Sequence, residues 1–361
     1  MIAEGDDIYM ANQIQSALLR YEWIKALGEM VEGEKGLLSP FLAMSGIESR
    51  MDKEELHKIG LIGDQNFAPE WRAAFQVLAN PVGVTRLRLS VGEVRWEYTV
   101  YFCPEKGLPA GLNNTREGFI LHYPAAVDEA IEFIGEHTGN SPLQVEKFNA
   151  TLVGAEAIVL AALLDQYRRA LMKALAEDNP FQLAPISTAE VASVIENSSS
   201  NGQWLVNIIS SGEGNQVSEK QLELVLAGLV GKGMVSRDGD KWTIEESVQK
   251  LVQRLLIIEQ VIAMEMASQD ERGELNRMAM LCLQSGVNDM LSLEIVNDQV
   301  SMELIPPAQF SKYMKFFTSH ESRWFDGVGQ DKTQERLFCP GCGKENKPGS
   351  NFCSECGTRL K

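Results

Sequence analysis

At 361 residues the chain is longer than one hydrophobic core usually supports, so two or three domains are expected. Hydrophobic residues at 44% and charged residues at 23% exclude a chain that is disordered throughout. Lys and Arg number 33 against 50 Asp and Glu, and the resulting charge of -17 is the wrong sign for a protein that lives by neutralising phosphates.

Taken in chain order, a first helix is expected over Asp7–Met30. Period-two segments such as Trp96-x-Tyr98-x-Val100-x-Phe102 then read as half-buried antiparallel strands. Val127, Ala130, Ile131 and Ile134 form the apolar stripe of an amphipathic helix. Gln144–Glu177 reads as a long helix, apolar nearly all round at Ala157–Leu164, packed centrally and ended at Asn179-Pro180. Its apolar run Leu152–Leu164 contains Glu156 and falls short of the ~20 residues that cross a bilayer, so no membrane span is expected. The opening Met-Ile-Ala-Glu-Gly-Asp-Asp has no secretory pattern, and the reading is a cytoplasmic protein.

Residues 186–244 resemble a winged helix-turn-helix, with helices over Thr188–Ile195 and Ser218–Val230 and a hairpin turn at Asp238-Gly239. A groove-reading helix needs basic residues, whereas 187–245 hold four basic against eight acidic ones. Glu196–Gly202 reads as a flexible insert, and Thr318–Glu335 as a polar tether carrying Trp324 and Phe325.

Two stretches of the body can be laid on each other in constant order. Gly60–Asp64 meets Gly233–Asp238, Val84–Leu89 meets Val261–Met266, Cys103 meets Cys282, and Pro124–His137 meets Pro307–His320. The last match preserves the stripe, since Phe310, Tyr313, Met314 and Phe317 repeat the spacing of Val127, Ala130, Ile131 and Ile134. Pro124 and Pro307 are both expected in a first helical turn. The fold class is therefore α+β: two pseudo-equivalent halves of antiparallel β-meander plus helices, joined by a long central helix, with a C-terminal zinc ribbon. The boundaries are 1–143 for the first half with its N-terminal helix, 144–179 for the connecting helix, and 180–320 for the second half with its winged-helix-like start. A linker over 321–337 leads to the ribbon at 338–361.

Four of the six cysteines make that ribbon. Cys339-Pro-Gly-Cys342 and Cys353-Ser-Glu-Cys356 are two C-x-x-C knuckles whose thiolates can complete a tetrahedron around Zn²⁺. With four protein ligands the ion is structural, and a segment too short to bury a core draws its folding energy from the metal. Residues 338–361 resemble the short zinc ribbons that end many bacterial and archaeal proteins. From Arg336 to Lys361 five basic residues face Glu345 and Glu355, a weak footprint for nucleic acid once the zinc centre's own charge is counted.

No catalytic constellation emerges. His57, His122, His137 and His320 fit no metal or triad motif, His137 and His320 fall at helix ends, and Cys103 and Cys282 sit in apolar strands as inert thiols. An enzyme is not expected.

Leu56-His-Lys-Ile-Gly-Leu-Ile62, followed by Pro69–Pro81 and then strands, resembles the start of a half-domain in the EspG-type chaperones of ESX (type VII) secretion. The resemblance spans residues 15–320. It implies two α+β halves, no active site, and a role in keeping helical export substrates soluble; it carries over no binding residue. The function expected is a non-enzymatic cytosolic chaperone or adaptor whose partner is a protein, such as a helical type VII secretion substrate. The alternative is a zinc-ribbon and winged-helix nucleic-acid-binding regulator. The binding groove is not assigned, and a homodimer stays open.

Overall fold

The computed structural model describes residues 14–43, 51–64, 66–181, 184–198, 203–213, 217, 219–270, 272–296, 299–318, 337–338 and 345–346. Strand β1 (Gln15–Arg20) runs straight into helix α1 (Tyr21–Met30), followed by α2 (Pro40–Ala43), α3 (Lys53–Lys58) and α4 (Pro69–Ala79). Trp23, Ile24 and Leu27 are buried along one face of α1. Asp52 caps α3 by accepting the Glu55 N–H at 3.1 Å. Pro69 opens α4, where a missing N–H costs nothing. The meander β2 (Gly83–Val91), β3 (Val94–Phe102), β4 (Ala110–Asn114) and β5 (Gly118–Tyr123) ends in α5 (Val127–Thr138).

The second half repeats this plan. Strand β6 (Asn149–Val153) runs straight into α6 (Gly154–Ala176). Then come β7 (Ile186–Ser187), α7 (Thr188–Glu196), α8 (Leu205–Glu213), α9 (Glu219–Gly231), the hairpin β8 (Val235–Asp238) and β9 (Lys241–Ile244), and α10 (Glu246–Arg254). A second meander, β10 (Gln260–Gln269), β11 (Leu275–Gln284), β12 (Met290–Val296) and β13 (Gln299–Ile305), ends in α11 (Pro307–Thr318). Strands β14 (Leu337–Phe338) and β15 (Glu345–Asn346) pair apart from the rest.

Ten strands form one antiparallel sheet in the order β1-β5-β4-β3-β2-β10-β11-β12-β13-β6. The order reads the same from either end once each strand is replaced by its counterpart, with β2 and β10 joining the halves. Leu87, aligned with Met264 in sequence, pairs directly with Met264. A residue that pairs with its own counterpart lies on a pseudo-twofold axis. The helices follow the same symmetry: α3 and α9 both end before a left-handed glycine, Gly60 at φ 73° and Gly233 at φ 68°, which turns the chain toward a β-bridge or hairpin and then α4 or α10. The winged-helix likeness is thus partly the second half's version of a unit present in both, enlarged by α7 and α8.

Three cores result. Leu87, Leu89, Tyr98 and Val100 of the first half and Ile262, Met264, Met280 and Cys282 of the second share one face of the sheet, covered by Ala130, Ile131 and Ile134 of α5 and Phe310 and Met314 of α11. On the opposite face α1–α4 cover the first meander and α6–α10 the second, as two separate clusters. The second is pinned by a buried pair on α6. Asp165 accepts the Leu205 and Val206 N–H groups at the start of α8, while Arg168 donates to Asp165 at 2.8 Å and to the Gln203 and Leu256 carbonyls.

Several expectations are corrected. Gln15–Arg20, expected as helix, is strand because pairing with β5 places Leu19 in the core, and tertiary pairing overrides helical propensity. The long helix starts at Gly154 rather than Gln144; Asn149–Val153 before it pairs with β13, so the helix belongs to the second half as α1 does to the first. Cys103 and Cys282 are not equivalent. Thr85 pairs with Val100 and its counterpart Ile262 with Cys282, so Cys282 matches Val100, while Cys103 lies just past β3 in the core on the other face. Pro307 opens α11, but Pro124 precedes α5 by a short loop held by the Ala125 N–H on the Pro109 carbonyl. Helix α8 was not anticipated. Residues 1–13, 199–202 and 319–336, with His320, Trp324 and Phe325, lie outside the described residues.

Candidate functional site

In β2 the side chains alternate, Leu87 and Leu89 entering the shared core and Arg86 and Arg88 pointing to the opposite face. That face, at the centre of the sheet, lies between the two helical clusters: Val84 packs against the edge of one, and Val261, Ala279 and Leu281 against the edge of the other. A strand in the middle of a ten-stranded sheet is ordinarily covered on both sides. Here the side chains of Arg86, Arg88 and Glu265 are 39%, 41% and 43% exposed.

Arg88 holds Glu97 and Glu265 at 3.0 Å each, and Arg86 reaches the same two carboxylates at 3.8 and 3.6 Å. The two cations and two anions neutralise one another and form a polar ladder across the β2–β10 junction. Its counterparts in the second half are mostly small: Ala263 stands where Arg86 stands in the first half, and Ala279 where Glu97 does. With Ala267 and Leu281 they make a partly buried apolar strip beside the ladder, Ala279 and Leu281 packing against the second helical cluster. This half-exposed stretch of sheet between the two helical clusters is charged on one side and apolar on the other. The alternation at Arg86 and Arg88 is visible in the sequence; the pairing that sets Glu265 beside them is not.

The other candidates divide clearly. Cys339, Cys342, Cys353 and Cys356 lie outside the described residues. Their neighbours Phe338 and Glu345 pair across β14 and β15, and the six residues joining those strands in sequence include Cys339 and Cys342. Four thiols in two C-x-x-C pairs are the donor set of a closed zinc site. Among the described residues no group of three His, Cys, Asp or Glu converges as a metal site, and no helix is long and apolar enough to cross a membrane. Cys103 and Cys282 are buried and free, and burial pushes the Cys282 thiol up to about 12. His137 sits in the last turn of α5, its Nδ1 2.9 Å from the Phe133 carbonyl. His122 Nδ1 lies 3.1 Å from Ser16 Oγ, a cross-strand contact between β1 and β5, and burial lowers its pKa despite nearby Glu129.

Residues 338–360 match the family model of the zinc-ribbon domain. No curated protein matches the chain in sequence. Among solved structures the chain is similar to the Mycobacterium tuberculosis type VII secretion system chaperone EspG5, determined in complex with a PE25-PPE41 dimer. The TM-score is 0.44 at 10% sequence identity, over 84% of this chain and 95% of that one.

Proposed function

We propose that the protein is a non-enzymatic cytoplasmic chaperone or adaptor that holds a helical protein segment against the half-exposed centre of its sheet. The observation that supports this reading is the half-exposed ladder of Arg86, Arg88, Glu97 and Glu265 beside Ala263, Ala267 and Ala279, on the stretch of sheet between the two helical clusters. A helix laid there would bury apolar surface on the alanine strip and keep its polar flank on the ladder. The sequence resemblance implies a helical export substrate of type VII secretion as the partner class. The C-terminal ribbon is read as a docking module around one structural Zn²⁺ held by Cys339, Cys342, Cys353 and Cys356.

The test is affinity capture with the unaltered protein and with Ala263→Arg and Ala279→Arg, at low and high salt and with or without nuclease. Protein partners that survive salt and nuclease and are lost by both variants support the reading. Nucleic acid captured at about 50 mM salt and lost by about 200 mM, with no stable protein partner, overturns it in favour of the nucleic-acid regulator.

A further inference from the structure

The two helices that cover the shared core lie over chemically different ground. Across the first half the paired rows run Tyr98–Asn113–Ile120 and Val100–Gly111–His122. The matching rows of the second half run Met280–Glu294–Ser301 and Cys282–Ser292–Glu303. Glu294 and Glu303 therefore replace Asn113 and His122. They are diagonal neighbours on adjacent strands, on the face that α11 covers.

Both carboxyl groups are partly buried, and burial raises each above the ordinary glutamate range, Glu303 further through the nearby charge of Glu294. The group facing them from α11 is Tyr313, whose hydroxyl accepts from Gln309 Nε2 at 2.6 Å and whose pKa is raised by burial and by the charges of Glu303, Glu294 and Cys282. From β11 the facing titratable group is Cys282, which Ser292 of β12 hydrogen-bonds. Lys312 and Lys315, exposed on α11, pair with neither carboxylate, and among the described residues no cation does.

The geometry points to a pH-responsive hold on α11: the helix closes over Glu294 and Glu303 most firmly when they are protonated and loosens when both are ionised. Closing removes water from two neighbouring carboxyl groups, which costs little for the neutral form and much for two like charges with no counter-ion. A raised native pKa stabilises the closed state below the ordinary range, near 4.5, and that stabilisation is lost as pH rises through the raised values. Among the described residues α11 is the last helix before the cysteine segment in sequence.

Cys282 supplies the readout, because it is fully buried in the core that α11 closes. N-ethylmaleimide labelling of the full chain is followed from pH 5.5 to 8 by peptide mass spectrometry, and each rate is divided by that of the denatured chain at the same pH. The normalised rate at Cys282 is expected to rise several-fold, bounded by about tenfold per pH unit for each ionising group. Cys103, buried in the core on the other face, should not follow it. The double variant Glu294→Gln with Glu303→Gln should flatten the Cys282 profile. A profile already flat in the unaltered chain, one unchanged in the variant, or one shared with Cys103 as global opening would produce it, overturns the proposal. Amide exchange of α11 against α5 gives a second measurement should the double variant fold poorly: only α11 should lose protection as pH rises.

Discussion

Gly111 shows how one missing side chain sets local packing. A Cβ there would collide with the Tyr98 hydroxyl, which accepts the Ala126 N–H at 2.7 Å and so fixes the entry to α5. Gly111→Ala is expected to cost about 1–3 kcal/mol by overpacking, read from denaturant midpoints, with the near-ultraviolet tyrosine signal changed. The buried pair on α6 carries a larger cost. Arg168→Met leaves Asp165 buried with its two backbone donors but no counter-ion, and a loss of about 3–5 kcal/mol is expected. A much smaller loss would mean that the pair contributes little to holding α8 and the 256–258 segment to α6. At the ribbon the prediction is compositional. One Zn²⁺ per chain should remain after dialysis, and Cys339→Ser with Cys342→Ser should abolish it, whereas Cys103→Ser should not. Elemental analysis decides each, and full zinc in the double variant would refute the ligand assignment.

At the level of elements, equivalent helices bury equivalent positions. Ala130 and Ile131 of α5 and Tyr313 and Met314 of α11 all line the shared core, so the i, i+3, i+4 stripe read from each sequence marks the face that packs. Cysteine placement did not transfer, because a match read along one strand says nothing of the register it takes with the next, and one residue of slip moves a side chain to the other face. The ribbon is a separate element in these terms. Removing residues 336–361 is expected to leave the thermal transition of the body nearly unchanged, since every described residue of the three cores lies before residue 318. Calorimetry of the truncated chain checks this; a marked fall in the transition would place the ribbon against the body.

For the whole molecule, the β2–β10 junction makes the two halves one cooperative unit, since the shared core draws on both and one ladder crosses the axis. A single unfolding transition from residues 14–318 is expected in denaturant, followed by fluorescence and circular dichroism together; separated transitions for the two halves would contradict it. Much of this protein was written locally: the zinc-ribbon segment in two short C-x-x-C spacings, the strands in period-two alternation, the helices in their apolar stripes, and the duplication in the order of those patterns. These signals survive in sequence because each depends on residues a few positions apart. The charged, half-exposed centre of the sheet was decided only in the folded chain. Arg86 and Arg88 read as the polar face of an ordinary strand, and Glu265 as one acid among 50; pairing β2 against β10 put them together and left that face between two helical layers. Likewise Glu294 and Glu303 became neighbours under α11 through register alone, because strand pairing and layer coverage are long-range choices that no local pattern encodes.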